Sequence, residues 1–320
     1  RMKKSRVLAV ALAGLFAAST AFAASQFIMG TGGTSGTYYP LGGAISQIIT
    51  DHSGGKVACV AQATGASVEN LNLLNAGDID LALVQNDTAD YAKRGVMFFK
   101  APLANVTGIC RIYPEHIQVA VNADSAIKSL EDFKGKNISV GAPGSGNEAN
   151  ARQIFGEIGL FDGANYVGFT PHFLSYAEAT SHFKDRLIDG FTFTTGAPNS
   201  GIQEIVTTQP LRFLEIKDKL RDDIIAKYPF FAPALIEKGT YSGLDHDVET
   251  IAVQACLVAR RDMSEDEAYA VTKAIFENLE ALGNAHAKGK NLTLEHALDG
   301  MTLDIHPGAL KYYKEVGLVK

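Results

Sequence analysis

The chain has 320 residues, of which 46% are apolar and 20% charged, a globular composition that excludes intrinsic disorder and leaves room for two domains. The formal net charge is −6, and no stretch mixes Lys and Arg with aromatics, which argues against a nucleic-acid partner. Three cysteines without a Cys-x-x-Cys spacing give no support to a zinc ribbon or a dithiol redox motif.

Residues 1–23 read as a cleaved secretion signal. Arg1, Lys3, Lys4 and Arg6 form a basic start, and Val7 to Ala18 an apolar run too short to span a bilayer comfortably. Ala21-Phe22-Ala23 supplies a small-x-small cleavage site, so the mature chain is expected to begin at Ala24, in the periplasm. No cysteine lies near that site, which argues against a lipid anchor. Losing four basic residues from a net charge of −6 leaves the mature chain near −10.

Strand and helix signals then alternate. Phe27–Gly30, Lys56–Gln62 and Ile79–Val84 are strand-like; Leu41–Ile49, Ser67–Leu74 and Thr88–Lys93 are helical. The alternation predicts a parallel sheet covered on both faces. Val106–Ile112 and His116–Val121 read as two strands separated by Tyr113-Pro114-Glu115, a crossing between domains. Beyond it come a helical turn at Ser129–Asp132, strands at Asn137–Val140 and Gly190–Thr194, and helices at Ser145–Ile158, Ser175–Leu187 and Ala197–Ile205. Leu211–Ile216 and Ala232–Ile236 give weaker strand signals, and Thr250–Ala259 is a long apolar strand that carries the chain back. Ser264-x-x-Glu267 is a capping box opening a helix to about Leu282. Short helices are expected near Leu294–Leu298 and Pro307–Val316. The division expected is one lobe of residues 24–114 and 252–320, and another of 115–251.

Two glycine-rich strand-to-helix turns carry the functional reading. Gly30-Thr-Gly-Gly-Thr-Ser-Gly-Thr-Tyr-Tyr-Pro40 lacks the third small residue of the dinucleotide fingerprint, and no Walker sequence exists. Glycine lets backbone N–H groups converge, and a helix N-terminus adds unpaired donors and partial positive charge, together a pocket for a carboxylate or phosphate. Gly33, Thr34, Ser35 and Tyr38 are the expected contacts here, against a plain structural turn. The second turn, Gly141–Glu148, matches Gly144-x-Gly146-x-x-Ala149, but Pro143 crowds it and no acidic residue ends a strand some 20 positions on, which argues against nicotinamide. Ser145, Gly146 and Asn147 are read as donors to the ligand with Glu148 as helper; alternatively Ser145 and Glu148 only cap the helix.

Five further candidate residues follow from position. Ser67 either contacts the ligand or serves as an N-cap. Gln85 ends the strand Ile79–Val84, where ligands of open α/β sheets collect. Ala197 and Pro198 lie in a turn between a strand and a helix that Pro198 helps to start. Arg111, beside the crossing, is placed to grip a carboxylate or to pair at a hinge. Cys59, Cys110 and Cys256 are expected to be buried free thiols, with Cys110–Cys256 the pair if a bridge exists. Neither a Gly-x-Ser-x-Gly elbow nor a His-Glu-x-x-His motif occurs, and the eight histidines lack metal-ligand spacing. No enzyme activity, metal or cofactor is expected; Glu148 is the nameable acid if the chain were a periplasmic enzyme.

The chain resembles the TAXI family of TRAP-transporter solute-binding proteins over roughly Gln26 to Val316. The resemblance rests on the Gly30 motif through Leu41-Gly42-Gly43, Thr64-Gly-Ala-Ser-Val-Glu-Asn-Leu71, Leu81-Ala-Leu-Val-Gln85, Tyr113-Pro114-Glu115, Leu130-x-Asp-Phe-Lys-Gly-Lys136, Gly141–Ala151 and Gly196-Ala-Pro-Asn199. It implies a type II periplasmic-binding-protein fold, with two α/β lobes whose central sheets are joined by hinge strands. It implies a receptor that hands a small anionic solute to an integral-membrane permease, with glutamate, glutamine and 2-oxoglutarate among the family's ligands; a monomer is expected, and the alternatives are a periplasmic enzyme acting on a small organic acid or a ligand receptor for a sensor kinase. Gly33, Ser35, Tyr38, Ser67, Gln85, Ser145, Asn147 and Ala197 fall on the cleft motifs. Asn147, where threonine is common, and Arg111, where a small residue is expected, depart from the family pattern.

Overall fold

The computed structural model describes residues 24–320, so the secretion-signal reading lies outside the described residues. The first part alternates as the pattern predicts: β1 (Ser25–Gly30), α1 (Tyr38–His52), β2 (Val57–Gln62), α2 (Ser67–Ala76), β3 (Leu81–Gln85) and α3 (Asn86–Arg94). β1 pairs in parallel with β2 and β3, and every residue of β3 is buried, as an interior strand covered on both faces requires. The chain continues as β4 (Val106–Asn122), β5 (Asn137–Ser139), α4 (Gly146–Glu157), β6 (Thr170–His172), α5 (Tyr176–Lys184), β7 (Gly190–Thr195), α6 (Ser200–Val206), β8 (Leu211–Leu214), α7 (Asp218–Lys227) and β9 (Ala232–Ile236). It ends with β10 (Val248–Arg260), α8 (Glu265–Phe276), α9 (Leu279–Ala285) and α10 (Pro307–Glu315).

The strands form one ten-stranded mixed sheet with the order β2-β1-β3-β10-β4-β7-β5-β6, β8 pairing β4 and β9 pairing β10. β10 runs antiparallel to both β3 and β4, so two long strands form the spine of the molecule. The apolar cores divide along that spine. Ile109, Cys110, Ile112 and Tyr113 of β4 pack with α1, α8 and α10 and Val106 with α2 and α3, whereas Ile117, Val119 and Val121 pack with β5 and α4. On β10 the same change falls between Val253 and Ala255.

Several expectations need correction. Residues 106–122 are one strand of 17 residues, not two. Proline in a strand reads as a break because it cannot donate to the ladder; here β7 ends opposite His116, so one side of β4 has no strand partner at Pro114. The helix expected from Ala197 starts at Ser200, because the Asn199 side chain accepts from the Ile202 N–H at 3.1 Å and caps it. The Ser264–Glu267 box closes in both directions, but its helix stops at Phe276 and α9 follows separately. Residues 294–298 form turns rather than a helix. β6 and α7 carried no usable pattern: β6 has three residues, and α7 fully buries only Ile224.

Cys59, Cys110 and Cys256 are buried free thiols. Burial pushes the Cys110 thiol up to about 12, so it is inert at neutral pH. Among the described residues no helix is long and apolar enough to cross a membrane.

Candidate functional site

The topology chooses the place of the site. β1, β2 and β3 on one side of the spine, and β5 and β7 on the other, aim their carboxyl ends toward each other. Between them is a cavity of about 120 Å³, roofed by the turns leading into α1, α2, α4 and α5. Helix N-termini therefore converge there. α1 and α2 have no side-chain cap. In α4 the Ser145 hydroxyl accepts only from Glu148 N–H, leaving the N–H groups of Gly146 and Asn147 without a partner among the described residues.

Of the residues singled out from sequence, Gly33, Tyr38, Ser67, Gln85, Ser145, Gly146 and Asn147 line this cavity. For some of them one of two open readings is favoured, and for others the role differs. Ser145 is the N-cap of α4, so its hydroxyl is already engaged. Ser67 is the first residue of α2, not its cap, and its hydroxyl accepts from the Gln85 N–H at 3.1 Å. The Asn147 amide is pinned to β7, donating to Thr192 O and accepting from Thr194 N–H, each at 2.8 Å. Asn147 thus offers the cavity its backbone rather than its side chain.

Thr34, Ser35, Ala197, Pro198 and Arg111 do not line the cavity. Thr34 and Pro198 are exposed, and Ala197 is half-buried in the turn before α6. Ser35 acts as a clasp: its carbonyl accepts from Asn199 Nδ2 at 3.3 Å and Ser200 Oγ at 3.0 Å. Arg111 points elsewhere. The β4–β10 register skips Ile112, a bulge that puts Ile112 and Tyr113 into the same core. Arg111 is thereby turned to the opposite face, where its Nε donates to Gln254 Oε1 at 2.8 Å beside a second, open hollow of about 620 Å³. That hollow is larger, but it lies away from the helix N-termini and strand ends that converge on the smaller one. Glu148 also turns away from the cavity. It pairs with Arg152 Nε at 2.5 Å and faces Tyr166.

The residue that sequence reasoning missed is Glu115. It lines the cavity and is 2% exposed. Its Oε2 accepts from Gln85 Nε2 and its Oε1 from Tyr113 Oη, each at 2.9 Å. The Tyr38 hydroxyl faces the same carboxyl without a well-formed bond, and Gln85 Oε1 has no partner. Burial pushes the Glu115 carboxyl up to about 7, against the lowering effect of these hydrogen bonds. Burial likewise raises Tyr38, Tyr113 and Tyr176 far above neutral pH, so all three stay protonated. Among the described residues no Lys or Arg lines the cavity.

The two sides of the spine close over the cavity. Thr37 Oγ1 meets Thr195 Oγ1 at 3.1 Å, and Val68 N–H donates to Gly144 O at 3.3 Å. A buried polar seam joins α3 to α4: Asn150 Nδ2 donates to Asp87 Oδ2 at 2.8 Å, and Gln153 Nε2 donates to Tyr91 Oη. Removing the Asn150 amide leaves a buried carboxylate oxygen short of its donor. Asn150→Ala is therefore expected to cost about 1–3 kcal/mol of stability in urea unfolding. Gly146 sits at the tightest point, where a Cβ would overlap Gln85 Oε1 and lie 2.9 Å from Ser67 Oγ.

Ala66, on the rim, has φ 74° and ψ −144°, a region essentially reserved for glycine. Such strain costs on the order of 1–3 kcal/mol. Ala66→Gly is expected to recover about 1 kcal/mol or more in thermal unfolding; an unchanged or lowered Tm would show that the backbone is not strained there.

The mixed α/β fold is one shared with several periplasmic binding proteins of known structure. The structure is similar to the periplasmic aliphatic sulphonate binding protein SsuA of Escherichia coli (15% identity, 90% of this chain and 78% of that one, TM-score 0.51). It is similar to a binding protein component of an ABC phosphonate transporter from Pseudomonas aeruginosa (14% identity, 82% and 78%, TM-score 0.55). A putative L-cystine ABC transporter protein from Listeria monocytogenes also matches (13% identity, 85% and 98%, TM-score 0.52). The chain itself belongs to the NMT1-like family, which it matches over residues 29–317.

Proposed function

We propose that the protein is a periplasmic solute receptor of a TRAP transporter, with residues 24–114 and 252–320 as one lobe and 115–251 as the other. The observation that carries this reading is the convergence of the N-terminal turns of α1, α2 and α4 on one cavity, with the Gly146 and Asn147 N–H groups lacking a protein partner among the described residues. A solute carboxylate docks on the N–H groups of Gly146 and Asn147, where the α4 dipole adds favourable charge. Each charge-assisted bond contributes about 1.5–3 kcal/mol net. A solute touching both lobes favours the closed state by its differential affinity for that state, and the hinge lies where the cores divide on β4 and β10. The closed receptor then delivers its cargo to an integral-membrane permease, and no covalent chemistry takes place. The resemblance to the TAXI family supports the TRAP assignment and a small organic acid such as glutamate, glutamine or 2-oxoglutarate as cargo.

A thermal-shift screen of solute-stripped protein against amino acids, oxo-acids and dicarboxylates tests this reading. A true solute at one hundred times its Kd adds about 2.7 kcal/mol of stability. Consumption of the acid that binds would instead make the protein an enzyme.

A further inference from the structure

Resting on the receptor reading, we infer that Glu115, with the Gln85 carbonyl, is the specificity-determining acceptor of the cavity, and that it admits acids carrying a donor nitrogen in preference to plain carboxylic and oxo-acids.

The cavity sets chemically opposite groups close together. The N–H groups of Gly146 and Asn147 at the start of α4 can only donate, and they suit a carboxylate. Beside them is an acceptor cluster. Each Glu115 oxygen already receives one hydrogen bond, from Tyr113 or Gln85, and keeps a lone pair. The Gln85 amide is oriented by donating its Nε2 to Glu115, which leaves its Oε1 buried, unpartnered and beside Gly146. A buried carbonyl left unpaired is costly, and a buried carboxylate far more so. A solute that brings a donor satisfies both groups at once; a carboxylate or keto oxygen brought to the same place adds another acceptor against them.

Charge points the same way. Among the described residues no cation lines the cavity, and Glu115 is the lining group that can carry a charge near neutral pH. A solute with one carboxylate and one ammonium leaves the ionised cavity at the same net charge, with each charge paired. A dicarboxylate brings two negative charges to a site that contains one more. The geometry also explains why Gln85 and Glu115 are held so firmly. Gln85 ends β3 and Glu115 lies at the midpoint of β4, so both sit on rigid strands at the division of the cores.

The test is calorimetric titration of solute-stripped full chain with the twenty L-amino acids and with the des-amino and 2-oxo acid of each. The expected result is that the acid bound most tightly carries nitrogen, by at least 100-fold over its des-amino partner. Glu115→Gln is expected to narrow that ratio at least tenfold, chiefly by weakening the amino acid. Glu115→Asp, which keeps the carboxyl, should retain a preference of the same sign. A des-amino or 2-oxo acid binding as tightly as its amino acid in the wild type overturns the inference while leaving the receptor reading intact. An undiminished ratio in a folded Glu115→Gln protein overturns it as well. Binding of none of these acids overturns the receptor reading for organic acids, and this inference with it.

Discussion

Gly146→Val is expected to weaken solute binding by at least 100-fold while leaving each lobe folded. The residue is the first of α4 and its backbone is ordinary, so valine meets no conformational strain there. The obstruction comes from across the cleft, where even a Cβ would overlap Gln85 Oε1 and crowd Ser67 Oγ. Those atoms belong to β3 and α2, on the far side of the spine from α4. On the proposed two-lobe reading the overlap exists only when the lobes are together, and opening at the proposed hinge relieves it. A hundredfold loss corresponds to about 2.7 kcal/mol, a modest demand on a clash against two buried, hydrogen-bonded side chains. Calorimetry gives the affinity, and small-angle scattering should show a radius of gyration that no longer falls when solute is added. Unchanged affinity would mean that Gly146 and Gln85 do not meet in the bound state.

The second large effect is a pH dependence that Glu115→Gln removes. Glu115 is raised to about 7 from an ordinary 4.5, and Asp87, buried in the α3–α4 seam, to about 7 from 3.8. For an acid raised in this way the folded state holds its proton while the unfolded chain has released it. Stability is then full at low pH and falls as pH climbs from about 4 through 7. Tyr38, Tyr113 and Tyr176 face Glu115 from α1, β4 and α5, and Cys256 from β10; burial keeps all four neutral, so Asp87 is the charged neighbour that adds to the shift. Exposed carboxyls such as Asp132, Asp162 and Glu178 are lowered and act in the opposite sense, so the whole-protein profile mixes both. The difference between Glu115→Gln and wild type isolates the one group. In solute-free protein that difference should shift in favour of the variant by about 2–3 kcal/mol between pH 5 and pH 8, following from a raise of roughly two units or more. A difference that stays flat across this range would show that Glu115 ionises freely in the closed cleft.

Much of this site was legible in the residues. The two glycine-rich turns and Gln85 announced themselves because a strand end, a glycine and a helix start leave a local imprint within a dozen residues. What those side chains do was not legible. Ser145 and Ser67 look identical whether they face a solute or satisfy a backbone N–H, and here each hydroxyl has a protein partner. Asn147 reads as a donor to ligand, yet its amide stitches α4 to β7, a contact between residues 45 and 47 positions apart. Glu115 was hidden by its neighbour: Pro114 made a continuous strand look like a crossing, and an acid beside a break reads as solvated. Of the two readings of Arg111, gripping a carboxylate or pairing at a hinge, the bulge at Ile112 favours the second by turning the side chain to Gln254 on β10, and no local pattern betrays that bulge. The mixed sheet, in contrast to the parallel one expected, follows from two antiparallel spine strands whose partners lie more than a hundred residues apart.

The structure offers two cavities, the one at the α4 N-terminus and a larger hollow beside Arg111. A crystal structure of the protein with the acid that stabilises it most separates them. The expected result is solute density between the α4 N-terminus and Glu115, with a carboxylate within hydrogen-bonding reach of the Gly146 and Asn147 N–H groups. Density in the hollow formed by Arg111, Gln254 and Asp299, with the interlobe cavity holding only water, would contradict it.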